Sequence, residues 1–103
     1  MITIQEIIKW SKPHPTSIYM GGNAKHSRFG NDQVEFSIVG GGRGLYGDFE
    51  KTFEVAIIDK QTNDFITNFF HHSSDMSIPY MSSNEVEELV NSVIKRENLS
   101  VER

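Results

Sequence analysis

The strongest periodicity lies late in the chain: Val86, Leu89, Val90, Val93 and Ile94 recur at i, i+3, i+4, i+7 and i+8, the stripe of an amphipathic helix. Ser82 as N-cap places Glu85 at the third helical position, so each side chain satisfies a free backbone N–H of the other. Glu85, Glu87 and Glu88 then stand at the positive end of the helix dipole, with Lys95 and Arg96 near its negative end. Thr3-Ile4-Gln5-Glu6 repeats the capping box near the start, and Ile4, Ile7, Ile8 and Trp10 form a shorter stripe. Pro13 and Pro15 stop it, which predicts a first helix over about residues 4–11.

Between the helices the period changes to two. Residues 33–39 alternate, with Val34, Phe36 and Ile38 on one face and Glu35 and Ser37 on the other. Residues 49–59 form the strongest predicted strand, with Phe53, Val55 and Ile57 inward. Residues 16–20 also read as a strand, turning at Gly21-Gly22-Asn23 into a partner over 24–29. A turn at Gly30-Asn31-Asp32 leads into 33–39. Residues 60–63 turn the chain again, and 64–70 return with Phe65, Ile66, Phe69 and Phe70. Residues 73–80 carry no period and read as a polar connection.

This order predicts an α+β fold: an antiparallel sheet of about four strands, within a range of three to five, flanked by an N-terminal and a C-terminal helix. One domain spans residues 1–103. Both helices have a single apolar stripe, so both are expected on one face of the sheet. The opposite face would carry Glu35, Ser37, Glu50, Thr52 and Glu54, together with Val39, Ala56 and Ile58.

Gly40-Gly41-Gly42-Arg43-Gly44-Leu45-Tyr46-Gly47 holds five of the eight glycines. Gly42, Gly44 and Gly47 match G-x-G-x-x-G, but a dinucleotide fingerprint must open a helix, and here a strand follows. A kinase-type loop is excluded as well. Ile58 stands where the lysine after Val55-Ala56-Ile57 would be, and no His-Arg-Asp catalytic loop exists. The run therefore reads as a pliable strand connection that presents Arg43 and Tyr46, both common binding anchors.

Composition narrows the remaining chemistry. There is no cysteine, hence no disulfide framework, thiolate nucleophile or cysteine zinc site. No apolar run reaches the roughly 18 residues of a membrane span. The start lacks the basic and apolar regions of a signal peptide, so a cytoplasmic chain is the simplest expectation. Four histidines are present, but none has the spacing of a metal motif, and no Gly-x-Ser-x-Gly elbow occurs. No catalytic residue, metal or cofactor is expected.

The net charge of −4 is unevenly spread. Up to residue 43, five cations (Lys9, Lys12, Lys25, Arg28, Arg43) face Glu6, Asp32 and Glu35. From 48 to 88, Asp48, Glu50, Glu54, Asp59, Asp64, Asp75, Glu85, Glu87 and Glu88 face only Lys51 and Lys60. Such a segment repels nucleic acid and suits a basic protein surface.

In size, acidity, absence of cysteine and element order the chain resembles the small phage anti-CRISPR proteins, some of which are built helix–sheet–helix. The resemblance implies a non-catalytic inhibitor whose carboxylates block the surface where a CRISPR nuclease receives DNA. It carries no motif, so the partner-binding candidates come from charge and position. They are Arg43, Tyr46, Asp48, Glu50 and Glu54, then Asp64, Asp75, Glu85, Glu87 and Glu88. The expected partner is a protein in a bacterial host's cytoplasm, with the chain itself a monomer or homodimer. The second reading is a single-stranded nucleic-acid module in which Lys25, Arg28, Phe29, Arg43 and Tyr46 combine phosphate contact with stacking.

Overall fold

Both capping boxes form in the computed structural model, which describes residues 1–71 and 76–99. In helix α1 (Ile4–Lys9) the Glu6 N–H donates to Thr3 Oγ1 at 3.2 Å and the Thr3 N–H to Glu6 Oε1 at 3.0 Å. In helix α2 (Ser83–Glu97) the reciprocal pair is Glu85 to Ser82 Oγ at 3.2 Å and Ser82 to Glu85 Oε1 at 2.9 Å. The second helix buries Val86, Leu89, Val90 and Val93, the residues its periodicity marks, and ends at Asn98 in the left-handed region.

The fold is α+β. Among the described residues an antiparallel sheet of six strands runs β1 (Lys12–Pro13), β2 (Lys25–Gly30), β3 (Val34–Gly40), β4 (Thr52–Asp59) and β5 (Asp64–Phe65), while β6 (Ile78–Ser82) pairs with the first half of β4. Register follows the alternation: Phe29 lies opposite Phe36, Phe36 opposite Ile57 and Ile38 opposite Val55. These side chains share one face with Ile4, Ile7, Val86, Val90 and Val93 in a single core cluster. Helix α2 packs on β4 and β6, and α1 on α2, so both helices lie on that face. No helix among the described residues is long and apolar enough to cross a membrane.

Four local expectations are corrected. Residues 16–20 are not a strand; Ser17–Met20 is a 3₁₀ turn closed by Gly21 at φ 91°. Ile18 and Tyr19 stay 81% and 84% exposed, so no core-facing alternation rewards an extended chain. The edge of β2 is taken by Lys12–Pro13 instead, where a proline without an N–H is tolerated.

Only Asp64–Phe65 of the predicted strand 64–70 pairs with β4, and Thr67–Phe69 is a 3₁₀ turn. The buried Thr67 hydroxyl replaces the ladder, accepting the Ile57 N–H at 2.9 Å and donating to the Met76 carbonyl at 2.8 Å. Residues 78–80, assigned to the polar connection, begin β6; the remainder of 73–80 up to Asp75 lies outside the described residues. Finally, β4 starts at Thr52 rather than 49, because Phe49 sits at φ 60°, incompatible with a strand.

Candidate functional site

The glycine-rich connection between β3 and β4 is pinned rather than pliable. The Gly41 N–H donates to the Gly47 carbonyl at 2.9 Å, and Leu45 to Gly42 at 3.2 Å. At Gly47 glycine is required by close approach: a Cβ there would lie 2.8 Å from the Thr52 carbonyl oxygen. Phe49 then turns inward and packs edge-on against Phe53, with ring centroids 5.3 Å apart.

Asp48 holds that turn. Its Oδ1 accepts the backbone N–H groups of Glu50, Lys51 and Thr52 at 2.8, 2.8 and 3.0 Å. Those bonds favour the anion and draw the carboxyl down to about 2 from 3.8. Glu54, on the sheet face away from the helices, ties the loop to the segment before β6. Its Oε1 accepts the Tyr46 N–H at 3.0 Å and its Oε2 the Ser77 hydroxyl at 2.7 Å.

The Tyr80 N–H completes the tie by donating to the Tyr46 carbonyl at 2.9 Å. Two tyrosine rings are thereby set side by side, centroids 5.9 Å apart and planes at 58°. They remain 52% and 62% exposed. Tyr80 adopts φ 54°, at an irregularity in the register between β4 and β6. That bulge turns an aromatic ring outward between the buried Ile78 and Met81.

The acidic candidates do not form one patch. Glu85 is spent on its capping box, which lowers its pKa through the backbone N–H of Ser82. Glu87 Oε2 accepts the Ile4 N–H at 2.6 Å and joins α2 to the start of α1. Glu50 is exposed in a groove of ≈ 530 Å³ that also includes Asn23, Lys25 and Asp48. Asp64 is exposed beside the far end of β4, a strand length of roughly 25 Å away. Glu88 is exposed on α2, at a groove of ≈ 320 Å³ with Phe70, His71 and Leu89. Asp75 lies outside the described residues. Arg43 is exposed, its Nε 4.0 Å from where a Cβ on Gly21 would stand.

No protein-family model, curated protein or solved structure matches the chain. Its chemistry must therefore be read from its own residues. Among the described residues, no three His, Asp or Glu side chains are grouped to hold a metal ion.

The nucleic-acid reading loses one of its two aromatics. Phe29 is buried, stacked on Phe36 at 5.2 Å and edge-on to Trp10 at 5.3 Å, because β2 register turns it to the core. Arg28 forms an ion pair with Glu35 across the β2–β3 hairpin. The structure instead gathers Lys12, His26 and Arg28 near His14, whose ring centroid is 5.5 Å from that of His26. Burial first, then these cationic neighbours, holds His26 below its ordinary 6.5.

The sequence places Tyr46 on an exposed loop, as the structure has it, but gives no sign of its neighbours Tyr80 and Ser77 or of the joining role of Glu54. The bulge hides Tyr80, since it breaks the period of two that announces a strand.

Proposed function

We propose that the chain is a non-catalytic protein-binding inhibitor of a nucleic-acid-processing enzyme of bacterial defence, acting in the host cytoplasm in the manner of the anti-CRISPR proteins it resembles. The observation that carries this reading is the exposed Tyr46–Tyr80 pair, anchored through Glu54 on a hydrogen-bonded loop. Rigid aromatic anchors supply interface energy at little entropic cost. The excess of carboxylates from 48 to 88 supports a basic groove as the target surface. Because Asp48, Glu85 and Glu87 serve internal bonds, the charge available for contact rests with Glu50, Asp64 and Glu88, and with Glu54 beside the tyrosine pair, whose two bonds come from neutral donors.

The test is capture from a bacterial lysate carrying CRISPR systems, followed by a cleavage assay with each purified enzyme recovered. Inhibition that weakens with salt, and weakens again in Glu50→Lys, supports the reading. If no captured enzyme is inhibited at low salt, the reading fails.

The gathering of Lys12, His26 and Arg28 on one face of the β1–β2 pair favours a second reading, direct binding of single-stranded nucleic acid. A salt-sensitive mobility shift with single-stranded DNA or RNA, lost in Lys12→Ala/Arg28→Ala, would carry it. No shift at low salt removes it.

A further inference from the structure

We infer that the Tyr46–Tyr80 pair is a docking platform for an arginine side chain of the partner protein; this deepens the inhibitor reading and rests on it for the partner's class. Three features of the pair point to a ligand. Neither ring belongs to the core cluster, so their placement does not serve packing. Tyr80 is held in the left-handed region, where a side-chain-bearing residue is strained, and such strain clusters at functional sites. The backbones that carry the two rings are tied by the Tyr80 N–H to Tyr46 carbonyl bond and by the Glu54 carboxylate on the Tyr46 N–H, so binding has little backbone left to order.

Charge selects the occupant. Both oxygens of Glu54 are engaged by neutral donors, the Tyr46 N–H and the Ser77 hydroxyl. Among the described residues the ion pair found is Arg28–Glu35, and none of their cations is paired with Glu54. The Glu54 carboxylate, bound to the Tyr46 N–H, sets a negative charge at the base of the pair, which together with electron-rich rings attracts a cation and repels a phosphate. A guanidinium suits the site better than an ammonium, because it is planar, stacks on aromatic rings and is more weakly hydrated. Such a contact occurs within the chain, where Arg96 Cζ lies 5.2 Å from the Phe70 ring centroid. Arg43, the cation nearest to Tyr46 in sequence, is directed to the Gly21 turn instead.

The experiment is an NMR titration of the full chain with a short peptide alternating arginine and glycine, following the ring signals of Tyr46 and Tyr80. A lysine–glycine peptide and a single-stranded thymidine oligonucleotide serve as comparisons. Both tyrosine signals should move with the arginine peptide, and several-fold more peptide should be needed with lysine. Tyr46→Phe/Tyr80→Phe, which keeps the rings, should bind as the wild type does. Tyr46→Leu/Tyr80→Leu, which keeps apolar bulk, should lose roughly fivefold or more in affinity.

Stationary ring signals, equal binding by the leucine variant, or ring shifts that respond more strongly to the oligonucleotide would each overturn the platform. The wild-type titration decides the matter even where a variant fails to fold. Ring shifts without any inhibited enzyme would keep the platform and remove the inhibitor reading. An enzyme inhibited equally well by the leucine variant would keep the inhibitor reading and remove the platform.

Discussion

Thr67→Val is the sharpest test of how the sheet is assembled. The substitution preserves shape and removes one hydroxyl from a fully buried site. The Ile57 N–H, also buried, then has lost its acceptor at 2.9 Å, which costs about 1–3 kcal/mol. The Met76 carbonyl loses its 2.8 Å donor, adding about 0.5–1 kcal/mol because it is only partly buried. A loss of about 1.5–4 kcal/mol should lower the melting temperature by roughly 7–18 °C in a domain of this size.

Thr67→Ser retains the hydroxyl and deletes a methyl, for about 1 kcal/mol. Urea unfolding followed by the fluorescence of Trp10, the single tryptophan and in contact with Phe29, measures both. If Thr67→Val lies within about 0.5 kcal/mol of the wild type, or Thr67→Ser is the worse of the two, Thr67 does not hold the junction of β4, β5 and β6.

Asp48 binds its proton at about 2 in the fold against 3.8 in the unfolded chain, so its contribution is complete above 3.8 and is lost as pH falls through about 2. Asp48→Asn should melt lower at pH 7 and show a smaller drop between pH 4 and 2 in scanning calorimetry. His26, lowered from 6.5, acts higher on the scale. The unfolded chain takes up its proton first, so stability should fall as pH drops below 6.5, and His26→Gln should flatten that step. The Ser27 hydroxyl is buried without a hydrogen-bond partner, so Ser27→Ala should leave urea stability unchanged or raise it by up to about 1 kcal/mol. Gly47→Ala should destabilise by about 2 kcal/mol or more in the same assay, since the new Cβ meets backbone rather than a movable side chain.

Legibility of the fold followed the range of each interaction. Thr3 with Glu6, and Ser82 with Glu85, are three residues apart, and both boxes form as read. The alternation of 34–38 and 53–57 placed the right side chains inward, because one buried face suffices to impose register. Residues 16–20 misled because β-branched and aromatic residues favour a strand only when a pleated, half-buried surface awaits them. Lys12–Pro13 occupied that place.

The candidate site divides along the same line. From sequence alone came the α+β class, both helix starts, the inward faces of the two central strands, the acidic excess after residue 48 and the suspicion that Tyr46 is an anchor. Tertiary structure decided which carboxylates remain available. Glu54 meets Ser77 across 23 residues and Glu87 meets Ile4 across 83, and no local pattern encodes such pairings. It also turned Phe29 inward, and it brought Tyr80 to Tyr46 through a bulge that suspends strand periodicity. The physical reason is common to all of these. Periodicity reports which face of an element is apolar, whereas the partner of a carboxylate or a ring is chosen when the sheet closes and distant segments compete for the same donors and the same surface.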